Sequence, residues 1–205
     1  FGHVFSDHMF IMDYSREEGW HDARIVPLSN ISLHPACCVF HYGAEVFEGL
    51  KAYRTEDGGI QLFRPLDNGR RLWNSCERMG LPPLPPENFV EAVRTFVREE
   101  APWVPGEANT SLYLRPFVFC TDVQLGVHGI RNASFYIITS PVGSYYPHGL
   151  APVHIAIERE DVRAVRGGTG YAKCGGNYAA ATRATVKAEK AGYDQVLWLD
   201  GVERR

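Results

Sequence analysis

Gly167-Gly168-Thr169-Gly170-Tyr171-Ala172-Lys173-Cys174-Gly175-Gly176-Asn177-Tyr178 carries a single charged side chain, and from Gly167 through Thr182 Lys173 remains the only one. Surface loops usually mix their charges. A lone lysine among Gly, Ala, Cys and Tyr points to a buried or half-buried ammonium, and desolvation favours the neutral, nucleophilic amine. Such an amine can form a Schiff base; an exposed lysine in a flexible loop is the plainer alternative. Two phosphate-loop readings fail on the same residues. A Walker-type loop needs Gly-Lys-Ser/Thr, but Lys173 follows Ala172 and precedes Cys174. A G-x-G-x-x-G fingerprint starting at Gly168 and Gly170 meets Lys173 where its last glycine belongs. The glycines instead suit close approach of the backbone to a flat ligand, with Asn177 predicted to cap the helix that follows.

Outward from this stretch the pattern is strand, loop, helix, strand. A strand is predicted over 154–158, a helix from about Tyr178 to Ala191 closed by Gly192, and a strand over 194–199. Ala180, Ala184, Ala188 and Ala191 share one helix face, a small-residue stripe suited to packing closely on a sheet. Upstream, Pro141-Val142-Gly143-Ser144-Tyr145-Tyr146-Pro147-His148-Gly149 reads as a connector between domains. The expected division is a small α/β domain over 1–141, a connector over 142–151, and the first part of a larger domain over 152–205.

The first segment is strand-rich. Strands are predicted over 4–12, 45–54, 59–63, 111–120 and 134–140, with Glu56-Asp57-Gly58-Gly59 as a hairpin turn. Two helices interrupt them. One runs from about Asp67 as N-cap, with Leu72, Cys76 and Met79 on one face, to Gly80; the other follows Pro85-Pro86, with Phe89, Val93, Phe96 and Val97 at helical spacing, until Pro102.

Composition narrows the function classes. Of 205 residues 45% are hydrophobic and 22% charged, and 21 basic against 24 acidic side chains leave a formal charge of −3. Disorder and a strongly basic nucleic-acid binder are excluded, and no apolar run approaches the roughly 20 residues of a membrane-spanning helix. A soluble globular protein is expected, with no nucleic-acid or membrane partner. The five cysteines make an odd count without C-x-x-C, pointing to a reducing compartment, and the eight histidines show no H-E-x-x-H, so no metal site is supported. The expected location is cytoplasmic, an organelle being open because residues preceding Phe1 could address the protein elsewhere.

The lysine stretch closely resembles the cofactor-lysine segment of branched-chain amino acid aminotransferases, pyridoxal-phosphate enzymes of fold type IV. Further blocks agree in order: Phe5-Ser6-Asp7-His8-Met9, His41-Tyr42, Phe47-Glu48-Gly49-Leu50-Lys51-Ala52, Leu62-Phe63-Arg64-Pro65, Ser111-Leu112-Tyr113-Leu114-Arg115-Pro116, Ser140-Pro141-Val142-Gly143 and Gln195-Val196-Leu197-Trp198. The implied fold class is mixed α+β and α/β: a smaller β-rich N-terminal domain with helices, then the opening part of a larger α/β barrel-like domain. The implied function is transamination of L-leucine, L-isoleucine and L-valine with 2-oxoglutarate, giving branched 2-oxo acids and L-glutamate.

The resemblance also assigns roles. Lys173 would hold pyridoxal 5'-phosphate as a Schiff base and then shuttle a proton; Tyr178 would hydrogen-bond the cofactor's phenolic oxygen and Arg71 its phosphate, for which a planar guanidinium is well suited. Phe1, Tyr42, Phe47, Tyr113 and Tyr145 match aromatic walls of an apolar pocket. Arg115, two residues from Tyr113 on a strand and so on the same face, matches the arginine that receives a distal carboxylate. Members are homodimers with the site near the subunit interface, so a homodimer is the expected partner state. The glutamate that pairs with the pyridine nitrogen matches nothing up to Arg205, and Glu203 sits just ahead of where its motif would begin. Because the chain stops directly after a strand and the turn residues Asp200-Gly201, further strands are expected downstream. Two alternatives stand beside this reading: another fold-type-IV enzyme, a D-amino acid aminotransferase or aminodeoxychorismate lyase, and a non-catalytic piece if the chain ends at Arg205.

Overall fold

The computed structural model describes residues 2–143 and 151–205. Thirteen helices and strands, all among these residues, follow in chain order: β1 (His8–Ser15), β2 (Gly19–Pro27), α1 (Cys38–Tyr42), β3 (Glu45–Phe47), β4 (Leu50–Arg54), β5 (Ile60–Leu62), α2 (Pro65–Met79), α3 (Pro86–Glu99), β6 (Ser111–Cys120), β7 (Asn132–Val142), β8 (Ile155–Glu158), α4 (Gly175–Lys190) and β9 (Gln195–Trp198). β1 to β7 form one antiparallel sheet in the order β2-β1-β7-β6-β4-β5, with β3 also paired to β6.

β6 decides what each face of the sheet does. Its Leu112, Leu114, Val118 and Cys120 are buried and join Leu72 and Cys76 of α2 and Phe89, Val93 and Phe96 of α3 in the core. The alternate residues Tyr113, Arg115, Phe117 and Phe119 therefore line the opposite face, as the two-residue period of a strand requires. Phe117, Phe119 and Tyr136 gather there, with ring centroids 5.5–5.8 Å apart.

The single strand expected over 45–54 is two strands broken at Glu48-Gly49. The cause lies on β6: Pro116 has no N–H to offer its neighbour, and its carbonyl accepts a 2.7 Å bond from the Glu48 N–H at the break. Glu45–Phe47 pairs with Phe117–Phe119 on one side of that proline, and Leu50–Ala52 with Leu112–Leu114 on the other.

Other boundaries shift for local reasons. β1 starts at His8, since Val4 and Phe5, β-formers by type, are exposed outside the ladder. β2 and the short α1 were not anticipated; β2 is a half-exposed edge strand carrying His21, Asp22 and Arg24, which hides its alternation. α2 begins at Pro65, whose fixed φ suits the first helical position, so Asp67 is inside the first turn and bonds Arg64 (2.6 Å) and Arg70 (3.3 Å) instead of capping. Gly80, at φ 68°, ends α2 in the left-handed conformation.

β8 and β9 pair in parallel with α4 between them in sequence, a βαβ arrangement; the connector predicted over 142–151 lies mostly outside the described residues. Of the alanine stripe on α4, Ala184 and Ala188 are buried, whereas Ala180 and Ala191 are exposed. All five cysteines are free and buried, and among the described residues no helix is long and apolar enough to cross a membrane.

Candidate active site

Lys173 stands at the last turn before α4, and its backbone is held from two sides. Its N–H donates to Ser75 Oγ of α2 at 2.9 Å, and its carbonyl accepts from the Phe47 N–H of β3 at 2.9 Å. The glycine-rich loop is tied by Asn177, whose amide donates to the carbonyls of Ala172 (2.7 Å) and Thr169 (2.9 Å) and whose Oδ1 accepts from the Thr169 hydroxyl. Asn177 is thus the third residue of a helix that starts at Gly175, with Cys174 in the N-cap position, and not the cap predicted. The helix thus begins three residues earlier than the apolar pattern indicates, with the Gly175 N–H of its first turn bonded to the Glu45 carboxylate, a partner on another element.

The side chain of Lys173 projects over aromatic rings. Its Nζ lies 2.6 Å from the Tyr178 hydroxyl, 4.3 Å from the Phe47 ring centre and 4.9 Å from that of Tyr178. Phe47 and Tyr178 pack at 4.9 Å between centroids. The guanidinium of Arg115 covers the same Phe47 ring at 4.7 Å and donates to the Tyr113 hydroxyl at 2.9 and 3.2 Å. Tyr113 comes this close to β3 and β4 because Gly49 has no side chain: a Cβ there would collide with the Tyr113 hydroxyl. Lys173, Tyr178, Phe47, Tyr113 and Arg115 therefore form one contiguous group.

Arg71 joins them from α2. Its Nε and Nη2 donate to Oε1 and Oε2 of Glu48 at 2.5 and 2.7 Å, a paired, charge-assisted contact that raises the Arg71 pKa, with the nearby Tyr178 and Tyr113 adding in the same direction. Glu48 is fully buried at 0% exposure and also accepts from Asn68 (2.8 Å) and the Gly49 N–H (3.2 Å), whereas the Arg71 side chain keeps 53% exposure. One face of the guanidinium is thus anchored in protein while the rest meets solvent beside the lysine group.

Of the remaining aromatic candidates, Tyr42 lies elsewhere: its hydroxyl accepts from the Gly126 N–H at 2.6 Å, and contact with the lysine group is absent among the described interactions. Phe1 and Tyr145 fall outside the described residues. Glu203 pairs with Arg205 at the exposed end of the chain.

Three participants were not singled out from sequence: Glu48, Ser75 and Glu45. Glu45 Oε1 accepts from the Gly175 N–H at the start of α4; burial raises its pKa, while that bond and the charge of Arg115 pull it down. A usable signal existed for Glu48, an acidic residue followed by glycine inside an otherwise apolar strand pattern, which marks an interruption of the strand. Ser75 had none, being one of several small polar residues on a helix.

No protein-family model matches the chain. Curated relatives do: it is 55% identical over 206 residues to branched-chain-amino-acid transaminase 1 of Bacillus subtilis, covering 100% of this chain and 58% of that protein. It is 48% identical over 206 residues to a branched-chain-amino-acid aminotransferase of Mycolicibacterium smegmatis, covering 100% of this chain and 56% of that one. The chain therefore spans a little over half the length of these relatives. Among solved structures, it is similar to a branched-chain amino acid aminotransferase from T.th. with pyridoxamine 5'-phosphate (TM-score 0.77, 26% identity, 97% of this chain and 61% of that one). It also resembles the branched-chain aminotransferase of Thermoproteus uzoniensis with norvaline (TM-score 0.74, 27% identity, 95% and 60%).

Proposed function

We propose that the chain, 55% and 48% identical over 206 residues to two branched-chain aminotransferases, works as the lysine-bearing part of such an enzyme, of fold type IV, moving the amino group of L-leucine, L-isoleucine or L-valine to 2-oxoglutarate. The observation that carries this reading is the lysine amine at 2.6 Å from a phenol, on an aromatic platform, with a carboxylate-anchored guanidinium alongside. Amine, phenol and guanidinium match the aldehyde, phenolic oxygen and phosphate of pyridoxal 5'-phosphate, so the residues present fit that cofactor. Bound there, the cofactor supplies an electrophilic carbon and an electron sink.

The protein's own residues do the rest. Lys173 Nζ would hold the cofactor at its aldehyde carbon, and the same amine would be the group that holds and moves a proton at the substrate Cα. The pinned backbone of Lys173 fixes the root of that side chain, leaving only its own torsions to change reach. Tyr178 Oη would hold the cofactor's phenolic oxygen, and Arg71 would offer the phosphate the guanidinium edge that Glu48 leaves open. Phe47 and Tyr113 give the substrate side chain an apolar wall. Arg115, on the same wall, receives the distal carboxylate of glutamate or 2-oxoglutarate, so one pocket serves both substrate types.

The same reading divides the chain at 142–151 and makes the enzyme a homodimer. Exposed Phe40, Tyr42, Val123, Leu125 and Val127, on α1 and the β6–β7 loop, support association. Free, buried cysteines support a reducing compartment, the cytoplasm. The test is borohydride reduction in the presence of pyridoxal phosphate, followed by peptide mapping. Label on Lys173, with turnover of L-leucine and not of D-alanine, is the expected result; label elsewhere, or none, overturns it.

A further inference from the structure

Glu45 and Phe47 alternate with Val46 on β3, so both face the side of the sheet that carries Arg115. Arg115 is fixed by two contacts of its own, the Tyr113 hydroxyl and the Phe47 ring. The Glu45 carboxylate is fixed separately, on the Gly175 N–H at the N-terminus of α4, and it is half-buried. A Cβ on Gly175 would collide with that carboxylate, so the glycine is what lets an acid sit there. Glu45, two residues from Phe47 on β3, and Arg115, over the Phe47 ring, thus share one face of the sheet, and the charge of Arg115 pulls the Glu45 pKa down although no hydrogen bond joins them among the described residues. Removing the anion leaves Arg115 in place but raises the positive potential it presents.

We propose that Glu45 sets substrate specificity: resting on proposed carboxylate recognition by Arg115, it weakens the pocket's hold on acidic substrates while leaving apolar ones untouched. With a leucine-like side chain in the pocket no ligand charge faces Arg115, so the charge of Glu45 has nothing in that side chain to act on. With 2-oxoglutarate bound, Arg115 is shared between two carboxylates, and the acidic ligand is released more readily.

The experiment compares wild type with Glu45→Gln in the complete, pyridoxal-phosphate-loaded protein, measuring dissociation constants calorimetrically for glutarate and for 4-methylpentanoate. The glutamine retains an oxygen for the Gly175 N–H, and Glu45→Met, of similar length and uncharged, is the second neutral variant should the first fail to fold. Glutarate is expected to bind about 3- to 10-fold tighter in the neutral variants, the range for one screened charge several ångströms away, and 4-methylpentanoate to stay within about twofold. Unchanged glutarate affinity, or equal changes for both ligands, overturns the inference. If Arg115→Leu leaves wild-type glutarate binding intact, the reading of Arg115 fails instead, and the inference falls with it.

Discussion

Replacing Arg71 with methionine strands a carboxylate. Glu48 accepts four hydrogen bonds, two of them from Arg71 at 2.5 and 2.7 Å, and is itself fully buried. Without Arg71 it keeps only Asn68 and the Gly49 N–H, both uncharged donors. Breaking a buried pair by removing one partner costs roughly 3–5 kcal/mol. Because the Arg71 side chain is 53% exposed, water can reach part of the vacated space, and a loss of about 2–3 kcal/mol is the better expectation. Glu48→Gln is milder. Its amide keeps one oxygen for Asn68 and the Gly49 N–H and loses charge-assisted bonding to an arginine that can turn to solvent, about 1–2 kcal/mol. Removing the more exposed partner should thus hurt more than removing the buried one. The double variant is decisive: with Arg71 gone, Glu48→Gln replaces a stranded charge by a neutral amide and should restore about 1 kcal/mol. Urea unfolding with unchanged m-values provides the assay, and a chain of this length should show roughly 2–4 °C of melting-temperature change per kcal/mol. A double variant less stable than Arg71→Met alone would refute the reasoning.

Three further outcomes are expected. Tyr178→Phe removes the 2.6 Å contact to Lys173 Nζ and should weaken pyridoxal phosphate binding about 5- to 15-fold, the worth of one hydrogen bond; absorbance titration of the apoprotein measures it, and an unchanged dissociation constant would contradict the role. Gly49→Ala pushes a Cβ into the Tyr113 hydroxyl and should destabilise by about 1–3 kcal/mol, with partial recovery on adding Tyr113→Phe; thermal unfolding of the single and double variants separates this collision from a general loss of strand flexibility. The hydrogen bond between His8 Nδ1 and buried Glu100, 2.6 Å long, raises the His8 pKa above its ordinary value of 6.5. The folded form therefore holds the proton more tightly, and this contribution is full below about pH 6.5 and fades as pH rises through the raised value. Melting temperatures of wild type and His8→Gln should differ in acid and converge in alkali, whereas a gap that is constant with pH would argue for packing alone.

Legibility from sequence tracked how local each cause is. β6 was read to the residue, because its alternation of Leu112, Leu114 and Val118 with Tyr113, Arg115 and Phe117 is written in one segment and answered by a core on one face. The break at Glu48-Gly49 was not, because the residue that causes it, Pro116, belongs to another strand. The same holds for the site. Lys173 announces itself by the lack of neighbouring charge, whereas Tyr178 is legible only through the family resemblance, and the structure brings its hydroxyl to the amine at 2.6 Å. Ser75, Glu45 and Glu48, which hold the lysine backbone, the start of α4 and Arg71, act across the fold and carry no local mark beyond the acid-glycine pair. The misplaced caps, Asp67 and Asn177, have a shared origin. In both helices the start lies ahead of the polar residue predicted to cap it, at Pro65 in one and in the other at Gly175, whose N–H is met by Glu45 from β3.

Pro116 also acts as a key for strand pairing during folding. Its missing N–H is harmless only opposite the gap between β3 and β4. A slip of β6 by two residues would preserve the inward and outward faces, so the hydrophobic pattern alone does not forbid it. Such a slip would set the imino nitrogen opposite a β3 or β4 residue that expects a donor, and would place an amide opposite the gap. The wrong register loses a ladder bond that the right one never needed. The proline thereby selects the one alignment in which Tyr113 meets Gly49 and Arg115 meets Phe47.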